Sequence, residues 1–163
     1  MATEPPFWQT KTLAEMTRAE WESLCDGCGR CCLHKIRWAD ANGAEGALDH
    51  TNVACKLLDT HSCRCTDYAN RHATVPDCTR LTAENVPQLD WLPVSCAYRR
   101  LASGKDLQWW HHLVSGDRDL VHRIGASVQD RCVPEKKAGP LQHHIVDWPG
   151  RPVLTRKPKD QHP

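Results

Sequence analysis

The sequence predicts a small, loop-rich α+β fold, with several short helices and a few short strands in a single unit over residues 1–150, ahead of a basic tail at 151–163. Three observations carry that expectation. A chain of 163 residues is near the usual size of one domain and long enough for a modest core. Its periodic apolar segments are short and interrupted by polar stretches, as short elements require. Eight of the ten cysteines lie between residues 25 and 78, a density that suits a fold organised by ligands as much as by hydrophobic burial.

Element by element, Thr17 and Glu20 have capping-box spacing with Trp21 and Leu24 as apolar positions behind them. That pattern predicts a helix that delivers Cys25 at its C-terminal end. Residues 35–38 and 51–57 flank a polar stretch containing Asn42 and Gly43, which predicts two strands joined by a long hairpin-like turn. Such a hairpin carries Cys55 back towards the first cysteines. Residues 59–78 are polar, poor in aliphatic side chains and rich in Cys, His and Asp, so they read as a loop held by its ligands. Ordering each residue there costs on the order of 1 to 2 kcal/mol. A structural metal site contributes roughly 10 kcal/mol or more, which the few apolar side chains cannot match.

In the second half, Val94, Tyr98 and Leu101 have helical spacing and Gly104 stands at the C-cap. A further helix is expected over 118–124, with Asp117 as N-cap, Leu120, Val121 and Ile124 as its apolar face, and Gly125 closing it. Residues 126–133 read as a strand. The tail carries Arg151, Arg156, Lys157 and Lys159 among prolines and reads as an unpacked terminus.

Composition narrows the function. Formal charge is +1 with acids and bases interleaved, so no global field recruits nucleic acid or an anionic membrane. No apolar run approaches the roughly 20 residues of a membrane span. The N-terminus lacks the basic and apolar stretches of a secretory signal, so the thiols are expected in the reducing cytoplasm, where clustered cysteines serve as metal ligands in preference to disulfides. Seven tryptophans against one phenylalanine suit a loop-rich fold around polar or metal centres, because an indole buries area while its N–H reaches a partner.

The chemistry concentrates in the run CDGCGRCC, which places Cys25, Cys28, Cys31 and Cys32 within eight residues, followed by Cys55, Cys63, Cys65 and Cys78. Thiolates are the soft anionic ligands that zinc and iron-sulfur clusters take, and Gly27 and Gly29 allow the tight turn that aims paired sulfurs inward. These eight cysteines are the expected metal ligands. Adjacent side chains usually point apart, so the pair Cys31 and Cys32 argues for more than one metal atom or for a redox thiol beside the cluster. The repeat C-x2-C-x2-C favours an iron-sulfur cluster or iron, with zinc as the alternative. His34, His50 and His61 are supplementary candidates, and the doublets His111-His112 and His143-His144 are read as non-ligands because neighbouring rings diverge as neighbouring thiols do. Cys96 lies in an apolar helical pattern, and Cys132 in a polar one. No nucleophile elbow, P-loop or G-x-G-x-x-G motif occurs.

These residues resemble the YcgN-type cysteine-cluster proteins, part of a wider group named for a CxxCxxCC zinc- or iron-chelating domain. CDGCGRCC matches the naming motif, and TNVACKLLD, CRCTDYANRH, VPDC, LDWLPVSCAYR, WWHHLVSGD and HIVDWP are similar to the YcgN branch. The resemblance covers most of the chain. It implies metal chelation, with Cys55, Cys65, Tyr68, Arg71 and Cys78 completing the wider pattern. Arg71 and Pro76 are separated here, whereas that pattern has them adjacent. A related motif in a flagellin lysine methylase, associated with an iron-sulfur centre, points towards iron. The resulting expectation is a cytosolic metalloprotein acting as a redox or accessory component for a protein partner. A structural zinc interaction module and a metal-dependent enzyme with an unidentified substrate are the alternatives.

Overall fold

Apolar residues in short runs give short elements, and the computed structural model, which describes residues 4–153, contains no helix longer than six residues among them. In chain order the elements are α1 (Phe7–Thr10), α2 (Arg18–Ser23), β1 (Leu33–Ala39), β2 (Glu45–Ala54), α3 (Arg71–Thr74), α4 (Ala97–Ala102), α5 (His112–Ser115), α6 (Leu120–Arg123), β3 (Val133–Pro134), α7 (Glu135–Ala138) and β4 (Ile145–Val146). This is the mixed α+β arrangement that the sequence predicts. No helix among the described residues is long and apolar enough to cross a membrane.

The capping box forms as expected. Glu20 N donates to Thr17 Oγ1 at 3.1 Å and Thr17 N to Glu20 Oε1 at 2.9 Å, so α2 starts at Arg18 and ends at Ser23, with Leu24 as its C-cap directly before Cys25. The hairpin also forms, with Leu33 opposite Ala54 and Ala39 opposite Glu45. Its turn is much shorter than the polar composition suggests. Asp40 Oδ1 accepts the amides of Asn42 and Ala44 and Gly43 takes φ +79°, which closes the loop within residues 40–44. The polar residues 45–50 are therefore strand, and their exposure falls towards Ala54 as β2 runs into the core. Along β2, β3 adds in parallel at Val53 and Ala54, and β4 antiparallel at His50 and Thr51.

Other expectations change. The strand expected over 126–133 is confined to Val133–Pro134, because the preceding amides go to irregular partners: Val128 N to Cys28 O at 2.8 Å and Asp130 N to Thr60 O at 2.9 Å. The helix expected from 118 begins at Leu120 with Asp119 at its N-cap, while Asp117 accepts Asp119 N and pairs with Arg123. Val94 stays outside α4, whose N-cap is Cys96. The start of the predicted tail is packed, since Val153 is buried against Cys28 and Trp110; residues 154–163 lie outside those described.

Burial divides into three apolar clusters. Leu24, Val86, Leu92, Tyr98 and Leu107 build the first; Trp110, Val121, Ala126 and Val153 the second; Ala54, Leu58, Cys63 and Val128 the third. The segment 24–33 touches all of them, contributing Leu24 to the first, Cys28 to the second and Leu33 to the third. The CDGCGRCC turn thus sits at the junction of the molecule's cores.

Candidate metal centre

Two neighbouring histidines fix the entry to the turn. His111 and His112 stack with ring centres 4.3 Å apart and an interplanar angle of 27°. His111 Nε2 lies 2.7 Å from Leu24 O and His112 Nε2 2.8 Å from Ser23 O. A carbonyl only accepts, so both Nε2 atoms carry the proton, and His111 Nδ1 is left to accept Leu113 N at 3.0 Å. The pair thereby satisfies the last carbonyls of α2 immediately before Cys25. Burial holds His111 at a pKa of about 4, so its neutral form is the one built into the fold. The rings do not diverge as the sequence argument had them.

Within the turn, Asp26 Oδ1 accepts Cys28 N at 2.9 Å, and Gly27 and Gly29 take φ +79° and +75°. Gly29 is required twice over. Its backbone is left-handed, and a Cβ there would stand 2.8 Å from Val128 Cγ2 and 3.2 Å from Cys63 Cβ. Arg30 is buried at 4% exposure, and its guanidinium donates to Ala126 O at 2.7 Å and to Trp148 O and Arg151 O at 3.0 Å each. Lys35 reaches back beneath the turn. Its Nζ donates to Leu33 O at 2.7 Å, Cys31 O at 3.2 Å and Arg30 O at 3.3 Å, and lies 5.4 Å from the centre of the Trp91 ring. Two cations thus stand against the thiols, and Cys28, Cys31 and Cys32 in turn favour the charged form of Lys35 against its burial.

The adjacent pair overturns the geometric expectation attached to it. Cys31 and Cys32 close a one-turn 3-10 segment that leads into β1, and their sulfurs lie 4.0 Å apart. The Cys32 thiol and then Lys35 bring Cys31 down to about 7, and Cys32 is raised correspondingly, so one proton leaves this pair easily and the second does not. Burial, with Asp26 and Cys31 adding to it, keeps Cys28 well above an ordinary thiol. Cys25 and Cys31 reach solvent, whereas Cys28 is buried.

The later cysteines divide. Cys55 is drawn to the first group by the hairpin, its amide donating to Cys32 O at 2.8 Å. Cys65 pairs through a single bridge with Leu58, and Cys78 feels both Cys55 and Cys65, with the Arg71 guanidinium beside it favouring its thiolate against burial. Arg71 in turn stacks on Tyr68 at 3.8 Å, and Tyr68 OH donates to Glu22 Oε2 at 2.9 Å, which ties this loop to α2. Cys63 stands apart: burial raises it to about 11, and its thiol neighbour is Cys132. Cys96, left outside the expected set, lies within electrostatic reach of Asp26, Cys31 and Cys25.

Among the described residues, no three His, Cys, Asp or Glu side chains stand in ion-holding geometry together. Two of the candidate histidines stand beside carboxylates and the third is packed against backbone. His34 Nε2 is 2.7 Å from Glu135 Oε1, His61 Nδ1 is 3.0 Å from Asp130 Oδ1, and the His50 ring packs over Gly150. Arg30, Lys35 and the histidine pair carry no sequence signal as ligand supports. Lys35, three residues past the last motif cysteine and at the start of a predicted strand, offers the nearest hint.

A cysteine-rich turn of this build defines a class, and the comparisons supply the family. The family model described as "Putative zinc- or iron-chelating domain", CxxCxxCC, matches residues 24–97. The chain belongs to the UPF0260 family. It is 56% identical over 163 residues to the UPF0260 protein of Gluconacetobacter diazotrophicus, covering 100% of this chain and 99% of that one. It is 59% identical to the UPF0260 protein of Granulibacter bethesdensis over 156 residues, covering 96% and 92%. With that of Gluconobacter oxydans it shares 59% over 145 residues, covering 89% and 86%. No solved structure matches the chain.

Proposed function

We propose that this chain is a cytoplasmic metalloprotein that holds an iron-sulfur cluster, or iron, on its cysteines and serves as a redox or accessory component for a protein partner, without nucleic-acid or membrane binding. The observation that carries the reading is the pairing of a thiol-rich turn with buried positive charge. Lys35 and Arg30 lie against Cys28, Cys31 and Cys32, an arrangement that stabilises an anionic thiolate centre far more than it does neutral thiols. The donor chemistry fits such a centre, with soft thiols and an easily lost first proton at Cys31 and Cys32.

The residues that would hold it are Cys25, Cys28, Cys31 and Cys32 with Cys55, and Cys65 and Cys78 complete or extend the set. Cys63, beside Cys132, is the least connected of the eight expected ligands. A bound cluster would supply one-electron transfer. The protein's part is to orient the sulfurs through Gly27, Gly29 and the histidine-capped end of α2, and to offset the charge through Lys35.

One observation favours the second reading, a structural zinc site. The 4.0 Å separation of the Cys31 and Cys32 sulfurs is close to the edge of a tetrahedral thiolate shell, roughly 3.8 Å for metal–sulfur bonds of about 2.3 Å. Anaerobic purification with a visible spectrum and parallel iron, zinc and acid-labile sulfide analysis decides between them. Broad absorption near 400 nm with stoichiometric iron and sulfide supports the cluster; a colourless protein with stoichiometric zinc replaces it with the structural site. In either case Cys28→Ser is expected to strip metal, and Cys132→Ser to leave it in place.

A further inference from the structure

A cleft of about 340 Å³ opens between the segment 13–22, Tyr68 and Arg71 of the second cysteine loop, and residues 80–84. It lies at the low end of the range of small-molecule sites. Met16, Trp21 and Leu81 give it an apolar wall, and Arg18, Arg71 and Arg80 give it three guanidinium groups. Among the described residues, the one carboxylate within 4.0 Å of any of these arginines is Glu22, 4.0 Å from Arg18. That carboxylate already accepts from Tyr68 OH. Glu84 is the second acid on the lining, so the cleft keeps a positive balance.

Arg71 is held in place for recognition. Its guanidinium is stacked on the Tyr68 ring at 3.8 Å and Nη1 donates to Tyr68 O at 2.7 Å, so the other N–H groups of the fork have only the Cys78 thiol as a neighbouring acceptor among the described residues. A guanidinium fork fixed in this way presents paired donors to a planar or tetrahedral oxyanion. The same group stands beside Cys78, so an occupant would rest one side chain from a candidate metal ligand.

We propose that this cleft binds a small organic oxyanion, a carboxylate or phosphate head on an apolar body, with the head on Arg71 and Arg80 and the body against Trp21 and Met16. The site goes beyond the metal reading and does not depend on it. Calorimetric titration of the full chain tests it with three probes: benzoate, its neutral analogue benzamide, and inorganic phosphate. Saturable benzoate or phosphate binding at millimolar concentrations is expected, with benzamide at least tenfold weaker. Arg80→Gln and, separately, Arg18→Gln should each weaken oxyanion binding severalfold at an unchanged melting temperature, because among the described residues neither side chain carries a hydrogen bond and the Arg18–Glu22 pair is an exposed one at 4.0 Å. Stronger binding of benzoate than of phosphate assigns a carboxylate head, and the reverse a phosphate head. Absence of saturation with both anions, equal binding of benzamide, or insensitivity to both arginine substitutions overturns the proposal. Repeating the titration on metal-free protein keeps its outcome separate from that of the metal assignment.

Discussion

The two cysteine regions are held in different ways. The first, residues 24–35, is fastened by protein alone: His111 and His112 cap its entrance, Arg30 and Lys35 use seven hydrogen bonds on main-chain carbonyls, and Leu24, Cys28 and Leu33 enter three separate cores. The second, residues 59–80, contains no buried side chain except Cys63 and is closed by short turns and by Tyr68 and Arg71. Preorganisation is therefore unequal. The backbone that carries the first set of cysteines is fastened by protein contacts alone, whereas the second set has few such contacts, so metal binding is expected to order the second more than the first.

Arg30 is the residue whose loss should loosen the first region most. Arg30→Met removes the donors of four main-chain carbonyls and is expected to cost about 3 to 5 kcal/mol in urea unfolding of metal-free protein. Arg71→Met, in the second region, should cost about 1 kcal/mol. Comparable losses would show that the two regions are equally fastened.

Acid should loosen the first region through His111. Its folded pKa of about 4 lies below the ordinary value, so the unfolded chain binds the proton first. Stability is therefore full above pH 6.5 and is lost as pH falls through about 4, by about 3 kcal/mol in all. His112 and Arg118 lower this pKa further and the Leu24 carbonyl opposes them. Asp26, raised by burial, works in the opposite direction, so the readout is the difference between wild type and His111→Asn in unfolding midpoint against pH. A parallel pair of curves would remove His111 from the account.

Metal removal sharpens the contrast. After verified chelation, amide protection in 59–80 should fall by about a hundredfold, equivalent to about 2.7 kcal/mol, while residues 26–35 change by less than about threefold. A uniform loss would mean that metal organises both regions. The smallest effects separate two glycines: Gly27→Ala meets open space and should cost about 1 kcal/mol for its left-handed backbone, whereas Gly29→Ala adds the contacts with Val128 and Cys63 and should cost at least twice that.

Local signals proved readable in the sequence. Thr17 and Glu20 announced α2, Gly43 the hairpin, and the hairpin the return of Cys55 to Cys32, because each depends on residues near one another in the chain. What stayed hidden depends on distant partners. The length of β2 follows from which face of a polar strand meets solvent, and the fate of residues 126–132 follows from amides claimed by Cys28 and Thr60. Vicinal side chains diverge in extended backbone, but the 3-10 turn at Cys31 and Cys32 and the bend at His111 and His112 bring them together. Conformation, not sequence spacing, decides that question.

The Arg30 clamp also bears on where this protein could be cut. Its four acceptors, Ala126, Trp148, Pro149 and Arg151, all lie beyond residue 97, where the CxxCxxCC match ends. A fragment trimmed to the matched span would keep every motif cysteine and yet strand a buried guanidinium and expose the Cys28 face of the second core. In this chain the matched segment is packed into a larger architecture, whose second core reaches from Cys28 to Val153.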